Sequence, residues 1–279
     1  MKKLTLQILF PETCRLDAEQ VIEAFRSYHR SMSDVQCEIA YREGILLGTV
    51  WWGKHVIMLS GFDVPYPPSE LEACVAYYAE ELKQRARSHK AHVFLHYSGQ
   101  EPSPFEQYVA LAAAAGVMAR FGAIVVLNAS GHTSFPAAAL SGSDSKSDMM
   151  ERDIMDLLRT LPLSTLYCGF VKGEVSGIPG VWMRTCGAPL LGLPDLAAHA
   201  TGNHESERYF AMFENIFGYL RDTGARLAAG DTMQSDEEEY LRFRAPKTDE
   251  WYLGSDADLL VIEFIGPNEI NRTIAHTRA

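Results

Sequence analysis

Residues 92–127 constrain the fold more than any other stretch of the chain. HVFLHY (92–97) reads as a strand, Ser103 precedes an alanine-rich helix running to about Phe121, and AIVVL (123–127) is wholly apolar. Strand, helix and strand at these lengths make a βαβ crossover, so the two strands run parallel and the connection is right-handed. A strand with no polar alternation is expected at the centre of a sheet, covered on both faces.

The flanking sequence supplies antiparallel material. Residues 4–10 form a first strand, and Asp17 is placed to cap a helix carrying Val21, Ile22 and Phe25 at helical spacing. Residues 36–41, 45–52 and 55–60 read as three strands joined by the short turns Glu43-Gly44 and Gly53-Lys54. After the prolines at 65, 67 and 68, a helix is expected from Ser69 to about Ser88, with Leu71, Val75, Tyr78 and Leu82 on one stripe. Beyond residue 140, a helix is read at 149–159 and strands at 166–174 and 181–186. Asp195 is read as the cap of a short helix. A longer helix at 205–222 carries Phe210, Phe213 and Phe217 and stops at Gly224, and late strands follow at 239–244 and 259–264. The fold class is α+β: mixed, mostly antiparallel sheets with helices packed on them and one βαβ crossover. SGSDSKS at 141–147 is small and polar, so it reads as a linker between lobes 1–140 and 148–279, or as a surface loop of one continuous domain.

Charge narrows the partners. Residues 1–140 carry 12 Lys and Arg against 14 Asp and Glu, whereas residues 141–279 carry 13 against 22. A polyanion is repelled by the second half, and binding to nucleic acid or an anionic membrane needs basic clusters that the sequence lacks. A basic protein partner is compatible with this field. The five cysteines, an odd number without a C-x-x-C pair, read as thiols of a reducing, cytoplasmic compartment. The start MKKLTLQILF has a short apolar run broken by Gln7 and reads as a strand, not a leader. No apolar run approaches the ~20 residues that cross a bilayer.

Four motifs in order carry a family resemblance: SHKAHVFLHY (88–97), GAIVVLN (122–128), WMRTCGAPLLGLPDLAAHA (182–200) and DTGARLAAGDT (222–232). Through them the chain resembles an uncharacterised bacterial family, the domain of unknown function numbered 4261, over roughly residues 58–232. The resemblance implies a bacterial cytosolic protein. It brings no established chemistry and no catalytic residues to carry over.

The chemistry-bearing residues read mostly as structure. His92 and His96 on one strand lie about 13 Å apart, too far to share one zinc ion without the rings converging across that span. Ser130-Gly131-His132-Thr133 is a turn after a strand, and GAPLLG (187–192) has no lysine to make a phosphate loop. No catalytic set, metal or cofactor is assigned. The binding candidates are Arg184, Asp231 and Thr232, as a polar pocket around the Gly230-Asp231-Thr232 turn, and Glu237 and Glu238 in the acidic run 236–239. Three functions are compatible with these residues. The first is a non-enzymatic protein-binding module, such as a toxin-immunity or secretion-system accessory protein. The second is a hydrolase-type enzyme using Asp231, Arg184 or His132. The third is a small-ligand-binding regulatory module.

Overall fold

A computed structural model describes residues 4–142, 153–236, 239–254, 258–266 and 269. The chain divides into two compact units, Met1–Gly169 and Phe170–Ala279. The helical segment of residues 154–166 belongs to the first unit. Most of the expected linker, from residue 143 on, lies outside the described residues. The class is α+β, with two mixed, mostly antiparallel sheets.

The first unit runs β1 (Thr5–Phe10), α1 (Ala18–Tyr28), β2 (Gln36–Arg42), β3 (Ile45–Trp52), β4 (His55–Phe62), α2 (Pro68–Glu72), β5 (Val75–Ala76), α3 (Glu80–Arg87), β6 (Ala91–Tyr97), α4 (Pro104–Met118), β7 (Val125–Asn128), β8 (Thr133–Pro136), α5 (Ile154–Thr160) and α6 (Leu163–Leu166). Its eight strands lie in the order β2-β3-β4-β6-β1-β7-β8-β5. Both β6 and β7 pair antiparallel with β1, so they run parallel to each other as the crossover requires. They are not neighbours, because the N-terminal strand inserts between them.

The connecting helix α4 explains the burial. Ser103 caps it by accepting from the Glu106 backbone N–H, and every residue from Gln107 to Met118 is buried. A helix apolar all round must be covered all round. The sheet takes one side of α4, while α1, α5 and the 3-10 turn Ala137–Leu140 take the others. Asp17 caps α1 as expected, accepting from the N–H groups of Glu19 and Gln20.

The expected long helix from Ser69 is broken. Val75 and Ala76 leave it to pair in parallel with Thr133 and Ser134 of β8, splitting the segment into α2 and α3 around a short edge strand. Pro67 occupies the cap position of α2, with no side-chain cap bond. The apolar stripe that suggested one helix is used on both sides of the break, where Leu71, Tyr78 and Leu82 all pack on the cluster of Leu9, Val125 and Leu127.

The second unit runs β9 (Gly169–Val175), β10 (Ile178–Cys186), β11 (Asp195–Ala200), α7 (Ser206–Thr223), β12 (Thr232–Gln234), β13 (Tyr240–Arg244) and β14 (Leu259–Ile265). Its sheet has the order β12-β13-β14-β11-β10-β9. The helix expected at Asp195 is instead the strand β11, parallel to β14 and almost wholly buried. LAAHA has helix-forming alanines, but the central position in the sheet overrides propensity. Asp195 still caps: buried at the strand start, it accepts from the Thr185 hydroxyl at 3.0 Å and from the N–H groups of Gly187 and Ala188, holding the turn after β10. Burial pushes its carboxyl above the usual aspartate value, against the pull of those hydrogen bonds.

Helix α7 packs on the sheet through Tyr209, Phe213, Ile216, Phe217 and Leu220, and stops at Gly224 in the left-handed region. By strand alternation the other face carries Trp182, Ala197, Leu259 and Val261, which Leu253 and Tyr252 cover. Beside them runs a charged ladder. Arg242 and Arg244 both bond Glu263, and Arg244 also grips Glu250 through both carboxylate oxygens. Glu250 is only 7% exposed. Its hydrogen-bonded pairing with Arg244 holds its carboxyl below the usual glutamate value.

Two predictions follow from this packing. A Cβ on Gly116 would overlap the Leu140 carbonyl oxygen, which also accepts from Tyr28 at 2.6 Å. Replacing an interior helical glycine by alanine ordinarily gains about 1 kcal/mol, but overpacking costs about 1–3 kcal/mol. Gly116→Ala should therefore lower the midpoint of thermal unfolding by calorimetry; an unchanged or raised midpoint contradicts the packing. A carboxylate held below its unfolded pKa stabilises the fold above that value, and the contribution disappears as pH falls through the lowered folded value. The loss of urea stability on acidification below about pH 4.5 should be shallower in Glu250→Gln than in the unsubstituted chain.

Candidate functional site

A concavity of about 1120 Å³ in the second unit lies between α7 and the outer strand β12. Its apolar wall combines Met212, Ile216 and Tyr219 of α7 with Met233, Leu241 and Phe264 of the sheet. The sheet residues share one face by register, since Met233 stands opposite Leu241 and Leu241 opposite Phe264. Tyr219 is 50% exposed, so the cleft opens to solvent along a large aromatic side chain.

Charge enters at one end. Arg208 lies over the Phe264 ring, 4.9 Å from its centroid, and donates to Glu239 at 2.8 Å. Glu239 also accepts from the Ser235 hydroxyl. The remaining charged lining is Arg226 and Asp231.

The turn that leads into β12 decides how the strand lies. Asp231 N–H donates to the Ala228 carbonyl, with Gly230 between them at φ +102°. A positive φ at the third position of a four-residue turn is the requirement of type II. Gly230 N–H then donates to the Phe243 carbonyl at 2.7 Å, and Phe243 N–H donates to the Asp231 carbonyl at 2.9 Å. Two residues thus face one, a β-bulge with glycine in its first position. The Asp231 carboxylate closes the turn by accepting from Ala228 N–H at 2.7 Å. The Gly-Asp-Thr motif is therefore a machine for starting an edge strand, with both glycine and aspartate used by the backbone.

The sequence candidates are distributed as follows. Asp231 and Thr232 line the cleft. Arg184 does not join them. It sits on β10, four strand positions from β12, about 19 Å across the sheet. There it donates to the Leu253 carbonyl and lies near Asp195. Glu237 and Glu238 lie outside the described residues.

In the first unit, His132 is an exposed residue in the left-handed region at φ +50°, and its carbonyl accepts from Val75 N–H. His89 accepts from Tyr66 N–H at 2.6 Å, and His92 stacks on Phe62 while bonding the Val64 carbonyl. His96 stacks on Phe94 beside Thr5. Among the described residues no group of three or more His, Cys, Asp or Glu could hold a metal ion. Burial pushes the thiols of Cys14 and Cys37 up to about 12 and that of Cys74 up to about 11. Among the described residues no helix is long and apolar enough to cross a membrane.

Sequence reasoning located the Gly-Asp-Thr turn but missed the cleft, because α7 and β12 meet only in the fold. The available signal was the polar and small face of α7 (Arg208, Ala211, Asn215), next to its aromatic seam.

Gly230→Ala forces a side chain into a conformation that costs non-glycine residues about 1–2 kcal/mol. It should lower stability by about that much in urea denaturation, and a neutral result would show that the turn relaxes freely. No curated protein and no solved structure matches the chain. Residues 184–254 match the family model described as a domain of unknown function, DUF4261. That segment spans Arg184, the Asp195 strand, α7, the bulge, β12, β13 and the Glu250 turn, and over it the chain is similar to the DUF4261 family.

Proposed function

We propose that this is a bacterial cytoplasmic protein-binding module, of the kind that serves as a toxin-immunity or secretion-system accessory protein, and that the cleft between α7 and β12 is its docking surface. The observation that carries the reading is the cleft itself. It is an open trough of about 1120 Å³ beside an outer strand, with Tyr219, Met212 and Arg208 on its wall. Small-molecule pockets run to about 300–1,000 Å³ and enclose most of their ligand, whereas tyrosine, methionine and arginine are enriched where proteins meet. The acidic balance of the second half favours a basic partner, whose approach it accelerates at low salt.

The test is retention of a partner from the native host's lysate on the immobilised chain, compared with a Tyr219→Glu variant. Tyr219 is half exposed, so the substitution alters the trough without emptying the core. The expected result is a protein held at low salt by the unsubstituted chain, released as salt rises, and held at least tenfold less by the variant. Recovery of no stable partner, or equal recovery by both chains, would overturn the proposal.

A further inference from the structure

Resting on the protein-binding reading of the cleft, we infer that the partner enters it as an added β-strand: an extended apolar segment with a basic end, paired along the outer side of β12 beneath α7. The direction of the backbone of β12 carries this. In an antiparallel ladder, residues that exchange hydrogen bonds with the opposite strand alternate with residues whose N–H and C=O turn away from it. Phe243 N–H donates to the Asp231 carbonyl, and Ser235 N–H donates to the Glu239 carbonyl at 3.0 Å. These bonds fix the inward positions at 231, 233 and 235. Thr232, opposite Arg242, therefore directs its backbone away from β13, toward the side where, among the described residues, the sheet ends.

What lies beyond that edge is the cleft. Met233 turns its side chain to the α7 face with Leu241 and Phe264, and α7 supplies Met212, Ile216 and Tyr219 above. A seventh strand at the usual spacing of about 4.8 Å would lay every second side chain into this trough. Strand addition draws affinity from main-chain bonds and specificity from such alternate pockets. An inserted helix would use the trough but not the backbone direction of Thr232.

Charge sets the end of the segment. The chain leaving β12 reads Asp-Glu-Glu-Glu at 236–239, and residues 170–279 carry 10 Lys and Arg against 17 Asp and Glu. Arg208 answers Glu239. A strand passing this end is best matched by lysine or arginine.

The experiment uses the full chain and fluorescein-labelled ten-residue peptides of alternating valine and threonine. One carries two lysines at an end, one carries two glutamates there, and one carries the lysines with a central proline. Anisotropy should show the lysine peptide binding at least tenfold more tightly than the other two, with affinity falling as salt rises. Amide exchange at Thr232 should slow at least tenfold when that peptide is bound. Thr232→Pro removes only the outward donor at the first position of an edge strand, where proline is tolerated, and should cut affinity at least tenfold at an unchanged thermal midpoint. The exchange measurement on the unsubstituted chain stands whether or not that variant folds. Equal binding of the proline peptide, unchanged Thr232 exchange, or sedimentation showing two copies joined at this edge would overturn the inference. A lysate partner lost by Tyr219→Glu but kept by Thr232→Pro would sink strand addition and leave the docking cleft intact, whereas no retained partner at all sinks the cleft reading itself.

Discussion

The first unit depends on hiding one helix. From Gln107 to Met118, α4 has no exposed residue, and five of these twelve residues are alanine. Alanine brings little area per residue, so the helix must lie close to its neighbours to gain from burial, which scales with the surface removed from water. The close approach is visible where Gly116 meets the Leu140 carbonyl. Everything around α4 is arranged as cover: the strands on one side, α1 and the 137–140 turn on others, and α5, fastened by Arg159 to Glu106 at the start of α4. The insertion of β1 between β6 and β7 serves the same end, since it widens the sheet beneath the helix.

The second unit spends its polar residues differently. Its central strands are locked by a buried carboxylate, Asp195, and by the Arg242–Glu263–Arg244–Glu250 ladder. In both places charge is satisfied by partners inside the unit, and breaking such a pair costs more than its presence contributes. Asp195 and Glu250 therefore act as locks for the turns at 187–192 and 245–250. At β12, by contrast, the bulge fixes how the strand begins, and among the described residues the sheet ends there.

Much of this was legible in the sequence, for physical reasons. Period-two and apolar runs gave β1 to β4, β6, β13 and β14 close to their observed bounds, and Asp17, Ser103 and Gly224 mark helix ends where capping chemistry demands them. The failures share one cause. Val75-Ala76 and the alanines of 197–200 are strands only because a distant partner, β8 or β14, takes their backbone bonds. No local pattern contains that partner. The site follows the same rule. Gly230-Asp231-Thr232 is readable as a turn, and its bond to Ala228 is local. The trough is not readable, because it exists between residues 208–219 and 230–241. Arg184 was grouped with Asp231 on chemistry alone, and the strand order separates them.

The shortness of β12 has a thermodynamic consequence. It pairs with β13 across only three residue positions, whereas β13 pairs with β14 across five. Regions with few paired and buried groups open at free energies far below that of the whole domain. The outer strand should thus peel away well before the sheet melts. Whatever the trough holds would then be released at a temperature or denaturant concentration at which the rest of the molecule is still folded, so binding and folding would have separate midpoints in a single protein.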